Sequence, residues 1–467
     1  MLLSASLALD ILAAAPELVL HLDFNTIQMK RGTVSEMLKA AAESGYTHVL
    51  WEIEDKVRLE SCPEAAHPEA FSKAEFKTML AEAKKLGLKN FPLLQTFGHG
   101  EYIMRLEKYR HLREVADSTD CYCISKPETR ALVKRMIAEC LELFGGKEME
   151  YFHLGGDECY DFGKCPVCAK RNPAELYAEH LNEIAAPIRA LGIRPCIWND
   201  MLVRPEWSMN VDLIPKDFVI YHWDYYLGTG HDLYNWRDKL KYLVDHGFTC
   251  VFAAASACGG DDPFIADLAF HRKNIDAGRA EVKKYSLHGF CTTSWSVRQA
   301  LKRLQLPLIR YAGSHKWELG PEYDALSRRD PDLCRFDGRG WHRYKDATVP
   351  PPGELGKVLA AVDAAESDVF GGKVAKGEYR KLLIAKAERL RAEIAAALPK
   401  VEGDWKRGGE LRLKMLDATL SVLRGERPSP LPVAETERYF LTEQPPKSAA
   451  NSAAIVLGIL SAKTPVE

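Results

Sequence analysis

The chain has 467 residues, 46% of them hydrophobic and 27% charged, which is the make-up of an ordinary globular protein and not of a disordered or fibrous one. Lys and Arg number 63 against 65 Asp and Glu, so a net charge of −2 removes the electrostatic case for nucleic acid or an anionic membrane as partner. No apolar run reaches the length that a membrane-spanning helix requires.

The chain opens on "MLLSASLALDILAAAPELVL", which is apolar but has no basic leading stretch and is interrupted by Asp10 and Glu17. A secretory signal is therefore not expected. The 12 cysteines are scattered, and Cys196, Cys250 and Cys291 lie inside strand-like runs. They read as reduced, buried thiols, and a cytoplasmic location is expected.

Eight short runs rich in Val, Ile, Phe and Trp then follow in order: Leu18–Phe24, Thr47–Ile53, Asn90–Thr96, Met149–Leu154, Arg194–Trp198, Phe218–Trp223, Thr249–Ala254 and Gly289–Thr293. Amphipathic segments such as "KAEFKTMLAEAKKLG" and "KPETRALVKRMIAECLELFG" separate them, several stopping at a Gly suited to a left-handed helix end. Eight strand-then-helix units predict an α/β fold, a (β/α)8 TIM barrel over residues 1–320. The alternative is a doubly wound open sheet, but "HLDFNTIQMK" after the first strand carries no Gly-rich phosphate turn. Beyond residue 320 the chain is loop-rich and then helical, with "ELGKVLAAVDAAESDVFGG", "YRKLLIAKAERLRAEIAAALPKV" and "WKRGGELRLKMLDATLSVLRGE". Residues 321–467 are expected to form a C-terminal α-helical region packed on the barrel, its charge runs being solvated faces.

Barrel chemistry sits at the carboxyl ends of the strands. The residues standing there are Asp23 and Asn25; Glu52, Glu54 and Asp55; Gln95, Thr96 and His99; Asp157 and Glu158; Trp198, Asn199 and Asp200; His222, Trp223, Asp224 and Tyr225; and Trp295. Carboxylates bind sugar hydroxyls and indole faces stack on a pyranose, so this pattern points to a carbohydrate pocket. Taken singly, a Trp ending an apolar strand or a His inside one, such as His153, is as easily a core residue.

The pair Asp157–Glu158 in "HLGGDE" bears on mechanism. Retaining glycosidases commonly hold two carboxylates about 5–5.5 Å apart across the scissile bond, and inverting ones roughly 6.5–9.5 Å apart. Two adjacent residues on one strand end are poorly placed to reach opposite faces of one carbon. They suit a reaction in which the 2-acetamido group of the substrate is the nucleophile, one carboxylate orienting it and the other acting as general acid and base. Read without its context, "GGDE" is an acidic turn.

At these residues the chain resembles glycoside hydrolase family 20, the β-N-acetylhexosaminidases, and within it the hexosaminidase D type. The likeness is carried by His153-Leu154-Gly155-Gly156-Asp157-Glu158, and by "HLDFN", "LWEIEDKVRLE", "PLLQTFGHGEY" and "TTSWSVRQALKRLQLP" in barrel order. The resemblance implies a retaining exo-β-N-acetylhexosaminidase acting on glycans that end in N-acetylhexosamine, with no organic cofactor. It implies Asp157 as the acetamido-orienting residue and Glu158 as the acid/base, with His99 and His153 in the supporting network. Trp198, Trp223 and Trp295 would wall the pocket, Asp224 would bind a hydroxyl, and Tyr225 or His222 would bond the acetamido oxygen. Asp23, Glu54 and Asp55 complete the expected substrate-binding set. Two family features are missing: an Arg just after the first strand, the nearest being Arg31, and a Glu two residues after the last-strand Trp, where Val297 stands. Rival readings are a carbohydrate-binding barrel that has lost catalysis, and a hydrolase of de-N-acetylated amino sugars using Glu54 or Asp224 opposite Glu158.

Cys159, Cys165 and Cys168 follow the acidic pair, and "CPVC" resembles half of a zinc knuckle. A fourth ligand from "STDCYC", Cys121 or Cys123, would complete a structural zinc site. Free thiols or a redox pair are the alternative.

Overall fold

The computed structural model describes residues 15–317 except 25–28, 30, 68–69, 105, 117, 120, 205–209, 230–235, 259–267 and 296–304, together with 378–400 and scattered positions between 406 and 426. Eight strands are present: β1 (Glu17–Asp23), β2 (His48–Glu52), β3 (Lys89–Leu93), β4 (Tyr151–His153), β5 (Arg194–Trp198), β6 (Val219–Trp223), β7 (Thr249–Ala257) and β8 (Gly289–Ser294). They pair in sequence order, all parallel, and β1 closes on β8. All eight expected runs became strands of one closed barrel, and the open-sheet alternative is excluded.

Each strand is followed by at least one helix: α1 (Arg31–Glu43), α2 (Lys73–Lys85), α3 (Glu101–Met104), α4 (Pro127–Phe144), α5 (Pro173–Arg189), α6 (Asp200–Val203), α7 (Trp236–Asp245), α8 (Leu268–Tyr285) and α9 (Leu306–Ser314). Local chemistry sets their ends. Ser72 caps α2 in a reciprocal capping box with Glu75, and Asn172 accepts from the amides of Ala174 and Glu175 ahead of Pro173. Gly145 ends α4 at φ +99.

Side chains alternate across each strand. On β2, Trp51 faces outward, its ring 5.3 Å from Phe76 of α2, and Phe76 in turn lies 5.6 Å from Phe144 of α4. Glu52 faces the barrel axis and meets His21 of β1. The outer layer is thus apolar cement between sheet and helices, while the upper barrel interior is polar and aromatic.

Strands β3 and β4 stop short of the expected Thr96 and Leu154. The reason is local: the Leu154 amide still bonds to Cys196 of β5, but Gly155 and Gly156, at φ +66 and +87, then turn the chain out of the sheet. In the C-terminal part, α10 (Glu378–Ala397) carries Arg391 and Glu388, which pair with Asp417 and Arg424. The first of the three expected helices there, and the proposed boundary at 320, lie outside the described residues. Among the described residues no helix is long and apolar enough to cross a membrane.

Candidate active site

The loops after β3 and β4 touch through glycines. A Cβ on Gly98 would stand 2.1 Å from the carbonyl oxygen of Asp157, and one on Gly155 would stand 2.1 Å from Gln95 Oε1. This close approach brings His99 over the acidic pair. Its Nε2 lies 3.4 Å from Asp157 Oδ2 and 3.6 Å from Glu158 Oε2. Consecutive residues of an extended chain point to opposite sides. Here Glu158 sits at φ +47, and that left-handed turn swings its carboxylate to the side of Asp157. Glu54 (φ +39) and His99 (φ +50) occupy the same costly region, so backbone strain gathers at the carboxyl ends of β2, β3 and β4.

Glu158 is held from several sides. Its amide donates to Asp200 Oδ2 at 2.9 Å, the Tyr160 hydroxyl donates to its Oε1 at 2.8 Å, and Arg204 Nη2 donates to the same oxygen at 3.3 Å. Burial alone would raise the Glu158 carboxyl. The hydrogen bond and charge of His99, with help from Tyr160 and Arg204, outweigh it and hold the pKa at about 2. For His99 burial pulls downward, but Asp157 and then Glu158 lift it well above the ordinary imidazole value, which favours the imidazolium. Asp200, below the pair, is pushed up to about 7 by burial and by the charges of Asp157 and Glu158. Its Oδ1 accepts from Trp223 Nε1 at 3.3 Å.

An aromatic belt continues the site from β5 to β8. Trp198 is fully buried on the axis, with ring centroids 4.5 Å from His153 and 5.8 Å from Trp295. Trp295 Nε1 donates to the Tyr225 hydroxyl at 2.8 Å, and Tyr225 stacks on Trp223 at 5.2 Å. Beneath lies a buried chain in which His21 Nε2 meets Glu52 Oε2 at 2.9 Å and Gln95 Nε2 donates to Glu52 Oε1 at 2.7 Å. Against this well-paired background, Glu54 Oε1, Gln95 Oε1, His153 Nε2, Asp157 Oδ1 and Trp198 Nε1 are buried without a hydrogen-bond partner. His153 Nδ1 accepts from the Gly155 amide at 3.0 Å, so the remaining proton sits on Nε2. The unmet groups are thus both donors and acceptors, on four neighbouring strand ends. Buried polar atoms are rarely left so, and this set suits a polyhydroxylated, amide-bearing ligand.

Most of the expected residues gather here, but three placements differ in kind. His222 does not face the pocket. Tyr221 and Trp223 on either side point inward, so His222 points outward, bonding Asn199 Nδ2 at 2.9 Å and lying 5.8 Å from Phe252, while burial and then Lys239 push it down to about 3. Of the two candidates for the acetamido oxygen, Tyr225 alone is in the belt. Asp224 spends Oδ1 on the amides of Tyr226 and Leu227, both at 3.0 Å, and so holds the turn after β6. Asp55 is tied to Lys56, its neighbour in the loop after β2. Asp23 and Glu54 are buried at the ends of β1 and β2, and burial, then Glu52, Asp23 and Asp55, raise Glu54 well above the carboxylate range. Arg31 is on the outer surface, donating to Thr78 Oγ1 at 2.7 Å. Asn25 and Val297 lie outside the described residues. Three contributors were not singled out in the sequence: His21, Tyr160 and Arg204. Inward alternation along β1 would have found His21, whereas Tyr160 and Arg204 reach Glu158 from irregular segments that no periodicity marks.

The cysteine expectation needs correcting. Of the two candidates in the preceding loop, Cys123 and not Cys121 meets Cys165 and Cys168, and the remaining group is Glu114 in place of Cys159. Residues 112–114 and 121–123 pair as a short antiparallel ribbon, and Cys123, two positions further along it than Cys121, is the residue that reaches the "CPVC" turn. Cys159 directly follows the turned Glu158, and its amide nitrogen packs against Gly98 instead.

A parallel barrel with an acidic pair and an indole belt at its carboxyl end defines the class: the protein is a glycoside hydrolase. The model for glycosyl hydrolase family 20, catalytic domain, matches residues 26–258. Hexosaminidase D of Bos taurus is 30% identical over 270 residues, covering 55% of this chain and 76% of the bovine protein. Hexosaminidase D of Homo sapiens is 29% identical over 294 residues, covering 59% of each. A solved β-N-acetylhexosaminidase from Bacteroides fragilis shares the fold at a TM-score of 0.50, with 17% identity over 69% of this chain and 72% of that one. The chain belongs to glycosyl hydrolase family 20.

Proposed function

We propose that the chain is a retaining exo-β-N-acetylhexosaminidase that releases terminal N-acetylglucosamine or N-acetylgalactosamine by substrate-assisted catalysis. One observation carries this reading: two adjacent carboxylates converge on the same side, on one imidazole nitrogen. So placed, they do not flank an anomeric carbon. Asp157, with its unpartnered Oδ1, accepts the acetamido N–H and turns the acetamido oxygen toward C1. That oxygen forms a bond to C1 as the glycosidic C–O bond breaks and Glu158 protonates the departing oxygen. Asp157 stabilises the positive charge of the oxazolinium ion. Glu158 then takes a proton from water, which attacks C1, reopens the ring and leaves the anomeric configuration retained.

Tyr225 bonds the acetamido oxygen, and Trp198, Trp223 and Trp295 enclose the methyl group and the sugar face. In the resting site Glu158 is ionised, and the proton it needs resides on His99, 3.6 Å away. Binding of a neutral sugar excludes water and weakens the grip on the ionised form, so this proton passes to Glu158. A hydrolase of de-N-acetylated sugars would need an opposing carboxylate. Asp224 is already engaged with its turn, which counts against it.

Steady-state inhibition tests the proposal. A thiazoline analogue of the oxazolinium ion is expected to bind on the order of 10²-fold or more tighter than the free N-acetylhexosamine, as a mimic of the transition state does. Absence of binding overturns substrate assistance. Glu158→Gln is expected to abolish cleavage of glycosides with poor leaving groups and to spare activated aryl glycosides more, while Asp157→Asn impairs both.

A further inference from the structure

The group formed by Glu114, Cys123, Cys165 and Cys168 lies outside the carbohydrate site and is fully enclosed. Cys123 Sγ is 3.5 Å from Cys165 Sγ and 3.8 Å from Cys168 Sγ, and Glu114 Oε2 is 3.4 Å from Cys168 Sγ. All four ligand atoms lie within 4.8 Å of one another. Sulfurs at these separations are not bonded to each other, but a zinc–sulfur bond of about 2.3 Å gives a tetrahedron with edges of roughly 3.8 Å. The turn is built for it: the Cys168 amide donates to Cys165 Sγ at 3.2 Å, the arrangement that steadies a thiolate, and the Cys165 amide donates to Glu114 Oε1 at 3.0 Å. The Ser125 hydroxyl lies 3.0 Å from Cys168 Sγ. Glu114 is a buried carboxylate facing three thiols, with no Lys or Arg partner among the described residues. A cation at the centre of the four would resolve that arrangement.

We propose that Glu114, Cys123, Cys165 and Cys168 bind one zinc ion, which clamps the loop after β3 to the loop after β4. The second loop carries Tyr160, whose hydroxyl holds Glu158, and Phe162, which packs on Phe97 at 4.8 Å. The clamp therefore fixes the backbone that follows the acid/base. This last consequence rests on the role proposed for Glu158, whereas metal binding does not.

The test is metal analysis of the full-length chain purified without chelator, joined to X-ray absorption at the zinc edge. One zinc per chain with three sulfur neighbours and one oxygen is expected. Cys123→Ser and Cys165→Ser are expected to lose the metal, and Cys121→Ser to keep it. Should the variants not fold, Co2+ added to the reduced, metal-free wild-type chain gives the same answer through tetrahedral and thiolate charge-transfer absorption. No uptake of Zn2+ or Co2+ by reduced protein, or a Cys165–Cys168 disulfide found by mass mapping, overturns the site. Chelation is expected to lower kcat roughly tenfold or more, with recovery on adding Zn2+. Metal present but kcat indifferent to its removal overturns the clamp's effect on Glu158 and leaves the thiazoline result untouched.

Discussion

Glu158 is the residue on which the proposed chemistry turns, and its backbone explains its reach. Without the left-handed φ of +47, it would point away from Asp157, as neighbours on a strand end do. In the proposed mechanism a resting pKa near 2 is compatible with acid catalysis because His99 stores the proton. This has a pH signature. On that proposal the active free enzyme carries one proton shared between His99 and Glu158, lost only above the raised His99 pKa. In His99→Gln that proton belongs to a lone carboxyl group. The alkaline limb of kcat/KM is therefore expected to move to lower pH, with activity at neutral pH falling, and a limb that stays in place would contradict the proton store. Asp200 gives a second signature, in stability. Its folded pKa of about 7 exceeds the ordinary 3.8, so its contribution is fully present below the unfolded value and is lost as pH rises toward 7. Thermal melts across that range are expected to fall more steeply for wild type than for Asp200→Asn.

At the scale of elements, the site depends on how β3 and β4 end. Both strands break off early, and the loops that follow are pressed together at Gly98 and Gly155. The obstacle at Gly98 is a backbone carbonyl, which cannot rotate aside. Gly98→Ala is thus expected to push the Asp157–Glu158 segment outward and lower kcat on the order of 10²-fold, the cost of about 1 Å of misplacement, while far-UV circular dichroism is unchanged. Full activity would show that the segment tolerates the shift. This dependence on backbone detail also marks where the sequence was legible. The strands, their order and the acidic pair are readable from apolar runs and from "HLGGDE", because burial on both faces leaves a strong local signal. The outward turn of His222 follows from strand alternation and was available too. Tyr160 and Arg204, the choice of Cys123 over Cys121, and Glu114 in place of Cys159 arise from how irregular loops cross in space. Nothing local in the sequence encodes that.

For the whole molecule, the two ends of the barrel divide the labour. At the amino end the Tyr151 hydroxyl donates to Glu17 Oε1 at 3.0 Å and contacts His288 Nε2 at 2.7 Å, tying β4 to β1 and to the start of β8 across the barrel floor. A residue there serves closure, and one at the carboxyl end serves chemistry. Tyr151→Phe is expected to cost about 1 kcal/mol in unfolding free energy, because it removes two part-buried hydrogen bonds, with kcat and KM unchanged. The carboxyl end, by contrast, keeps left-handed backbone at Glu54, His99 and Glu158, a raised Asp200 and unpartnered polar atoms on Glu54, Gln95, His153, Asp157 and Trp198, all unfavourable for folding. The central claim is that the substrate's acetamido group, oriented by that pair, attacks the anomeric carbon. The most direct measurement is kcat/KM for aryl β-glycosides whose N-acetyl group is replaced stepwise by mono-, di- and trifluoroacetyl. A steep fall with each fluorine, as the amide oxygen loses nucleophilicity, is the predicted result, and a flat series would contradict the account.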